Sequence, residues 1–264
     1  KLLKGEIMAK LNKTWVQAAL ELSQVDKDKL DWWHKKIPGA SSNRLRGFIN
    51  NLCGADNVNY LEIGVYKGST IIAAVTNNPK TKAWGIENSS YDFRQTFPDQ
   101  IPEGSPCWPS MIRDLNENLK KWSTHLNYVP DAITIIEDSF QNVDYSKLPT
   151  FNVCYLDIEK LNPVIYDEFF TTVYPKLDKE CVLVVSGVTN PIFMEELNKA
   201  LLRHDESFTV DYEFLKVSGA GSDSRNYWNG IRVLGLKRKI KAAVKKAVVK
   251  KPVVKTAPKT TKED

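Results

Sequence analysis

The chain has 264 residues, of which 42% are hydrophobic and 26% charged, and a formal net charge of +5. That balance suits a soluble chain with one good core. No apolar run approaches the roughly 20 residues of a membrane span, and the first residues lack the apolar stretch of a secretory signal. The cysteines, Cys53, Cys107, Cys154 and Cys181, show no C-x-x-C spacing. They read as buried free thiols in a reducing, cytoplasmic setting, not as a disulfide framework or a zinc site. The histidines, His34, His125 and His204, are scattered in helical segments and read as surface or satisfied core groups.

The charge is unevenly placed. Residues 237–264 carry eleven Lys or Arg against two acids, a net +9, so the first 236 residues carry −4 of the overall +5. This tail repeats Lys-Lys and Val-Val, lacks aromatics, and is expected to stay disordered. Two roles fit it: a non-specific arm for nucleic acid or an anionic surface, or a solvating extension with no dedicated partner.

In chain order, the pattern predicts a helix over 14–35 with Trp15, Ala18, Leu22, Leu30, Trp32 and Trp33 as its apolar positions. Pro38-Gly39 breaks it, and Ser41 or Ser42 caps a second helix running to Leu52. Helices are predicted at about 69–77, 110–123, 162–175 and 191–204. Strands are predicted at 58–62, 82–87, 132–137, 151–157, 181–186, 208–216 and 230–236. Strands alternating with helices argue a doubly wound, mostly parallel sheet. The last two strands have no helix between them and must run antiparallel. Residues 88–109, with four prolines and four aromatics, and the turn at 217–228 are read as walls of one crevice. The expected organisation is a helical lead-in over 1–40, one catalytic domain over 41–236 and the basic tail over 237–264.

The stretch Val58-Asn-Tyr-Leu-Glu62-Ile-Gly64-Val-Tyr66-Lys-Gly68-Ser69-Thr70 carries the strongest functional signal. A short strand ends in a carboxylate, a glycine turn follows, and an apolar helix begins. Gly64 and Gly68 let the backbone approach a ligand and adopt positive φ, and the helix start turns N–H groups toward the loop. The spacing is E-x-G-x-x-x-G, neither a dinucleotide fingerprint nor a phosphate loop. Three further strands end in acidic or hydroxyl groups: Glu87, Glu137-Asp138-Ser139 and Asp157. A carboxylate at Glu87 suits a ribose, since it accepts from both vicinal hydroxyls. Any one of these acids could merely cap a helix; four at the ends of successive strands mark a crevice.

Leu61–Thr70, Gly85-Ile-Glu87, Glu137-Asp-Ser-Phe140 and Tyr155-Leu-Asp157, with Arg44–Asn51 and Tyr227-Trp-Asn-Gly-Ile231, resemble the class I S-adenosylmethionine-dependent methyltransferases. The likeness is strongest to their small-molecule O-methyltransferase branch, the catechol and macrocin types, and covers roughly 40–236. It implies a seven-stranded Rossmann-like sheet with the last strand antiparallel and S-adenosyl-L-methionine across strands one to four. It also implies roles. Gly64, Tyr66, Gly68, Ser69 and Thr70 would form the cofactor turn, with Glu62 orienting the methionine part through it. Glu87 would hold the ribose, Asp138, Ser139 and Phe140 would border the adenine, and Asp157 would face the sulfonium and the acceptor.

The catalytic pattern departs from that branch. Asp157-Ile-Glu-Lys160 stands where macrocin-type enzymes have Asp-Gly-Asp-His, and Ser186-Gly-Val-Thr-Asn190 offers no carboxylate after strand five. A hard divalent cation would lack two ligands, so metal-independent transfer to a small-molecule or saccharide-type oxygen is expected. Lys160 could serve as a base if desolvated, or could simply be a solvent-facing charge at a helix start. Two alternatives stand beside this reading: a cofactor-binding protein that has lost catalysis, and an NAD-dependent oxidoreductase, which the glycine spacing disfavours.

Overall fold

The computed structural model describes residues 10–88, 109–123, 130–157, 164–216, 227 and 229–239. The strands are β1 (Asn59–Ile63), β2 (Lys82–Glu87), β3 (Ile133–Glu137), β4 (Phe151–Leu156), β5 (Leu177–Ser186), β6 (Phe208–Lys216) and β7 (Ile231–Arg238). The helices are α1 (Lys13–Gln24), α2 (Asn43–Leu52), α3 (Ser69–Val75), α4 (Pro109–Ser123), α5 (Ile165–Thr172) and α6 (Pro191–Arg203). Lys160, residues 89–108, 217–226 and 228, which cover most of the two expected crevice walls, and the tail beyond Lys239 lie outside the described residues.

The strands form one sheet in the order β3-β2-β1-β4-β5-β7-β6. β7 runs antiparallel to both β5 and β6, and every other pairing is parallel. This is the expected doubly wound sheet. Alternation along each strand sends side chains to two separate cores. Tyr60, Val153, Tyr155, Val182 and Val184 pack beneath α1, α2, α3 and Leu115 of α4. Leu61, Ile63, Cys154, Leu156, Leu183 and Val185 pack against α5 and α6. Each large aliphatic side chain taken fully out of water contributes roughly 1.5–3 kcal/mol, so the central strands, buried on both faces, anchor the molecule.

The first helix is shorter than its periodicity suggests. Asn12 caps α1 by accepting from the Trp15 N–H at 2.9 Å, and the helix stops at Gln24. Asp26 takes a left-handed φ of +53°, while the N–H of Lys27 reaches back to the Leu22 carbonyl at 2.9 Å, which is the Schellman way of ending a helix. Trp32 and Trp33 therefore lie beyond α1, with ring centroids 4.1 Å apart and planes tilted by 32°, and are about half exposed. Ser42 is the cap of α2, accepting from the Leu45 N–H at 3.1 Å. α5 ends at Thr172, short of its expected end, where the chain tightens into a 3-10 turn containing Pro175; proline lacks the N–H an α-helix would need there. β5 begins earlier than expected, because Leu177 pairs with Phe151 and Glu180 with Lys237.

Candidate functional site

The ends of β1, β2 and β4 meet at Gly64. Its N–H donates to the Ile86 carbonyl at 3.0 Å, and the Asp157 N–H donates to the Ile63 carbonyl at 2.9 Å. Gly64 has φ +89°, and a Cβ there would stand 2.1 Å from the Asp157 carbonyl oxygen. Only glycine meets both conditions. Gly68, at φ +84°, closes the turn with its N–H on the Val65 carbonyl at 3.0 Å. Between them Tyr66 also adopts a positive φ, +52°, unusual for a bulky residue. Its N–H donates to Oε2 of Glu87 at 2.6 Å. The carboxylate ending β2 thus fixes the turn leaving β1.

α4 braces the turn from outside. Asp114 pairs with Lys67 at 3.2 Å, Asn118 donates to the Lys67 carbonyl at 2.9 Å, and Leu115 packs where a Cβ on Gly68 would fall. From the other side, the Ser69 hydroxyl bonds to Ser41 at 2.7 Å. Ser41 in turn is held by the buried Arg46, whose guanidinium donates to the Ser41 hydroxyl and to the carbonyls of His34, Ile37 and Ser41. Burial lowers the Arg46 pKa to about 10.

Glu62 is fully buried on the face beneath the first three helices. Its carboxyl oxygens meet the hydroxyls of Tyr60 at 2.7 Å and Thr70 at 2.5 Å. Burial pushes its pKa up to about 8; the two hydroxyls oppose the shift, and the nearby Asp157 and Glu87 carboxylates add to it. Glu62 therefore ties the strand to the first turn of α3. Asp157 forms a parallel arrangement one strand away. The Tyr155 hydroxyl donates to its Oδ2 at 3.1 Å, and Ser186 at the end of β5 donates to its Oδ1.

The residues after β3 are placed differently. Asp138 accepts from the Ser139 N–H at 2.7 Å and from the Asn142 side chain at 3.2 Å, holding its own turn. Ser139 donates to Gln141. The Phe140 side chain is buried in the core beneath α5 and α6, and its carbonyl accepts from the Tyr145 hydroxyl at 2.9 Å, so its ring supports the sheet. Among the described residues, no group of three or more His, Cys, Asp or Glu could hold a metal ion.

Tyr60, Tyr155, Ser41, Arg46 and the α4 brace were given no role in the site from the sequence. The two tyrosines had a signal: Tyr60-x-Glu62 and Tyr155-x-Asp157 put each phenol on the same strand face as the acid two positions on. A cavity of about 560 Å³ lies between α6 and β6, lined by Leu201, Phe208, Val210 and Arg232. It stands at the sheet edge opposite β3, far from the glycine turn, and Arg232 there is paired with Glu213 and Asn198.

No protein-family model and no curated protein matches this chain. Solved structures do. The SAH-bound Podospora anserina methyltransferase PaMTH1 matches at a TM-score of 0.50 and 14% identity, over 87% of this chain and 89% of its own. TrmN from Thermus thermophilus matches at a TM-score of 0.51 and 12% identity, over 79% of this chain and 52% of its own. The chain thus spans about half the length of TrmN. At these identities the likeness is one of fold: a Rossmann-like sheet of the kind found in methyltransferases.

Proposed function

We propose that the chain is an S-adenosylmethionine-dependent methyltransferase that acts, without a metal, on an oxygen of a small-molecule or saccharide-type acceptor. One observation carries the reading. The strand order reverses between β1 and β4, and in an open α/β sheet the ligand crevice lies outside the carboxyl ends of the strands at that reversal. The Gly64–Gly68 turn, Glu87 and Asp157 all converge there. The PaMTH1 likeness, a SAH-bound methyltransferase of the same fold, supports the same cofactor class.

The donor set fits that cofactor. The glycine turn brings backbone close to the ligand, and Glu87 offers a carboxylate to ribose hydroxyls. In this reading Asp157 would face the sulfonium and the acceptor, and Asp138, Ser139 and Phe140 would border the adenine. Bound there, S-adenosylmethionine supplies a methyl group activated on a positively charged sulfur. The chain's own work is then to align the acceptor for in-line displacement. Lys160 stays the candidate base for an acceptor that must lose a proton.

A second reading, a cofactor-binding protein without turnover, is favoured by one detail: both Asp157 oxygens already accept hydrogen bonds, from Tyr155 and Ser186. Calorimetric titration with S-adenosylmethionine and then NAD tests the cofactor class. Saturable binding of the first and none of the second is expected; the reverse would make the chain an oxidoreductase. Release of S-adenosylhomocysteine on incubation with hydroxylated acceptors separates turnover from binding alone.

A further inference from the structure

Glu62 occupies an unusual seat. It is fully buried, and its hydrogen-bond partners are two hydroxyls, Tyr60 on β1 and Thr70 on α3. A hydroxyl both donates and accepts. Either hydroxyl can donate to an ionised Glu62, and either can accept from a protonated one. A backbone N–H or a lysine in that place would fix the group as a carboxylate; these partners leave both states satisfied. We infer that Glu62 is held as a neutral acid in the unliganded protein and gives up its proton when a positively charged ligand fills the glycine turn, so that the site distinguishes a cationic ligand from its neutral counterpart.

The surroundings set the direction. Facing or near Glu62 are Tyr60 from β1, Thr70 from α3, Cys53 from the end of α2, Cys154, Tyr155 and Asp157 from β4, and Glu87 from β2. Burial pushes the phenols and thiols in this set well up, which keeps them neutral near pH 7. Asp157 and Glu87 are carboxylates, and both oppose a third negative charge. A cation brought among them reverses that opposition, since an opposite charge within a few ångströms favours the ionised form. The proton leaves to solvent, and the charge left on Glu62 is steadied by the Tyr60 and Thr70 hydroxyls at the base of the turn. Resting on the methyltransferase reading, this makes Glu62 a specificity residue favouring the sulfonium form of the cofactor over the thioether product.

The test is calorimetric titration of the full chain at pH 7.4 with S-adenosylmethionine and with S-adenosylhomocysteine, each in phosphate and in Tris. These buffers differ in ionisation enthalpy, so protons released on binding appear as a difference in heat. The expected result is release approaching about one proton with the sulfonium ligand, much less with the thioether, and loss of most of that release in Glu62→Gln. Binding of both ligands with equal release, or an unchanged release in Glu62→Gln, overturns the inference while leaving the cofactor assignment standing. No binding of either ligand removes the methyltransferase reading and the inference with it. If Glu62→Gln fails to fold, Tyr60→Phe replaces it. Loss of one hydroxyl that steadies the charged form should move the pH midpoint of proton release upward, and an unmoved midpoint overturns the inference.

Discussion

The Thr70 hydroxyl meets the Glu62 carboxyl at 2.5 Å, joining the first turn of α3 to the end of β1 across the glycine turn. This bond, with the one from Tyr60, places a carboxyl with no exposed surface at the base of the candidate site. The consequence for stability has a definite sign. The pKa of Glu62 is raised from 4.5 in an open chain to about 8 in the fold, so between those values the folded protein holds a proton that the unfolded chain lacks. Its contribution is fully present below about pH 4.5 and is lost as pH rises through about 8. Wild type should therefore lose stability relative to Glu62→Gln between pH 5 and 8, by up to roughly 1.4 kcal/mol per pH unit. Urea denaturation of both proteins across that range checks it, and parallel pH profiles would contradict it.

Replacement of the two turn glycines should not be equivalent. Each alanine would carry a positive φ, costing about 1–2 kcal/mol. At Gly64 the new Cβ meets the backbone oxygen of Asp157 at 2.1 Å, whereas at Gly68 it meets the end of the Leu115 side chain at 2.7 Å. Backbone at a strand end cannot move aside as a leucine methyl can. Gly64→Ala should lose at least about 2 kcal/mol more than Gly68→Ala in denaturant melts.

Arg46 should tolerate no conservative change. Its guanidinium is buried and makes four hydrogen bonds, three of them to backbone carbonyls. A lysine ammonium cannot reproduce that planar fork, and the carbonyls left behind would be buried without donors. Arg46→Lys should destabilise by about 2–4 kcal/mol, close to the loss in Arg46→Met. A lysine variant as stable as wild type would show that the fork is not needed.

The basic tail should matter for polyanions and not for the fold. Residues 240–264 carry eight Lys against two acids, a net +6, so their removal leaves a chain of −1 from the original +5. Lys239, which remains, still bonds to the carbonyls of Ser207 and Asp205. Deletion should leave the melting temperature nearly unchanged and abolish any salt-sensitive binding to DNA or anionic vesicles. Retained binding would locate the basic patch on the folded domain.

Much of this architecture was legible from residue order. The alternation of strands and helices, the antiparallel pairing of β6 with β7 and the glycine turn after β1 follow from local signals, and each appears in the fold. What escaped was tertiary. The apolar spacing of Leu30, Trp32 and Trp33 continued the first helix on paper, yet a left-handed Asp26 ends it and leaves the tryptophans partly in solvent. Arg46, Ser41 and Ser69 form a chain of bonds across 28 residues that no periodicity announces. Phe140 was read from its motif as bordering the adenine; that its ring packs in the core beneath α5 and α6 depended on how the turn after β3 folds back. Glu62 was legible as a strand-end acid; that its partners are hydroxyls depended on how β1 and α3 pack.

The most direct measurement is the affinity of S-adenosylmethionine for wild type, Glu87→Ala and Glu87→Gln. Glu87 receives the Tyr66 N–H at 2.6 Å and is assigned to the ribose, so it joins the turn to the ligand. Glutamine keeps an acceptor for the Tyr66 N–H while removing the charge; alanine removes both. The account predicts saturable binding to wild type, weakened by about 1.5–3 kcal/mol in Glu87→Ala, which is roughly 10- to 150-fold, with Glu87→Gln between the two. An unchanged dissociation constant in a folded Glu87→Ala protein would contradict it.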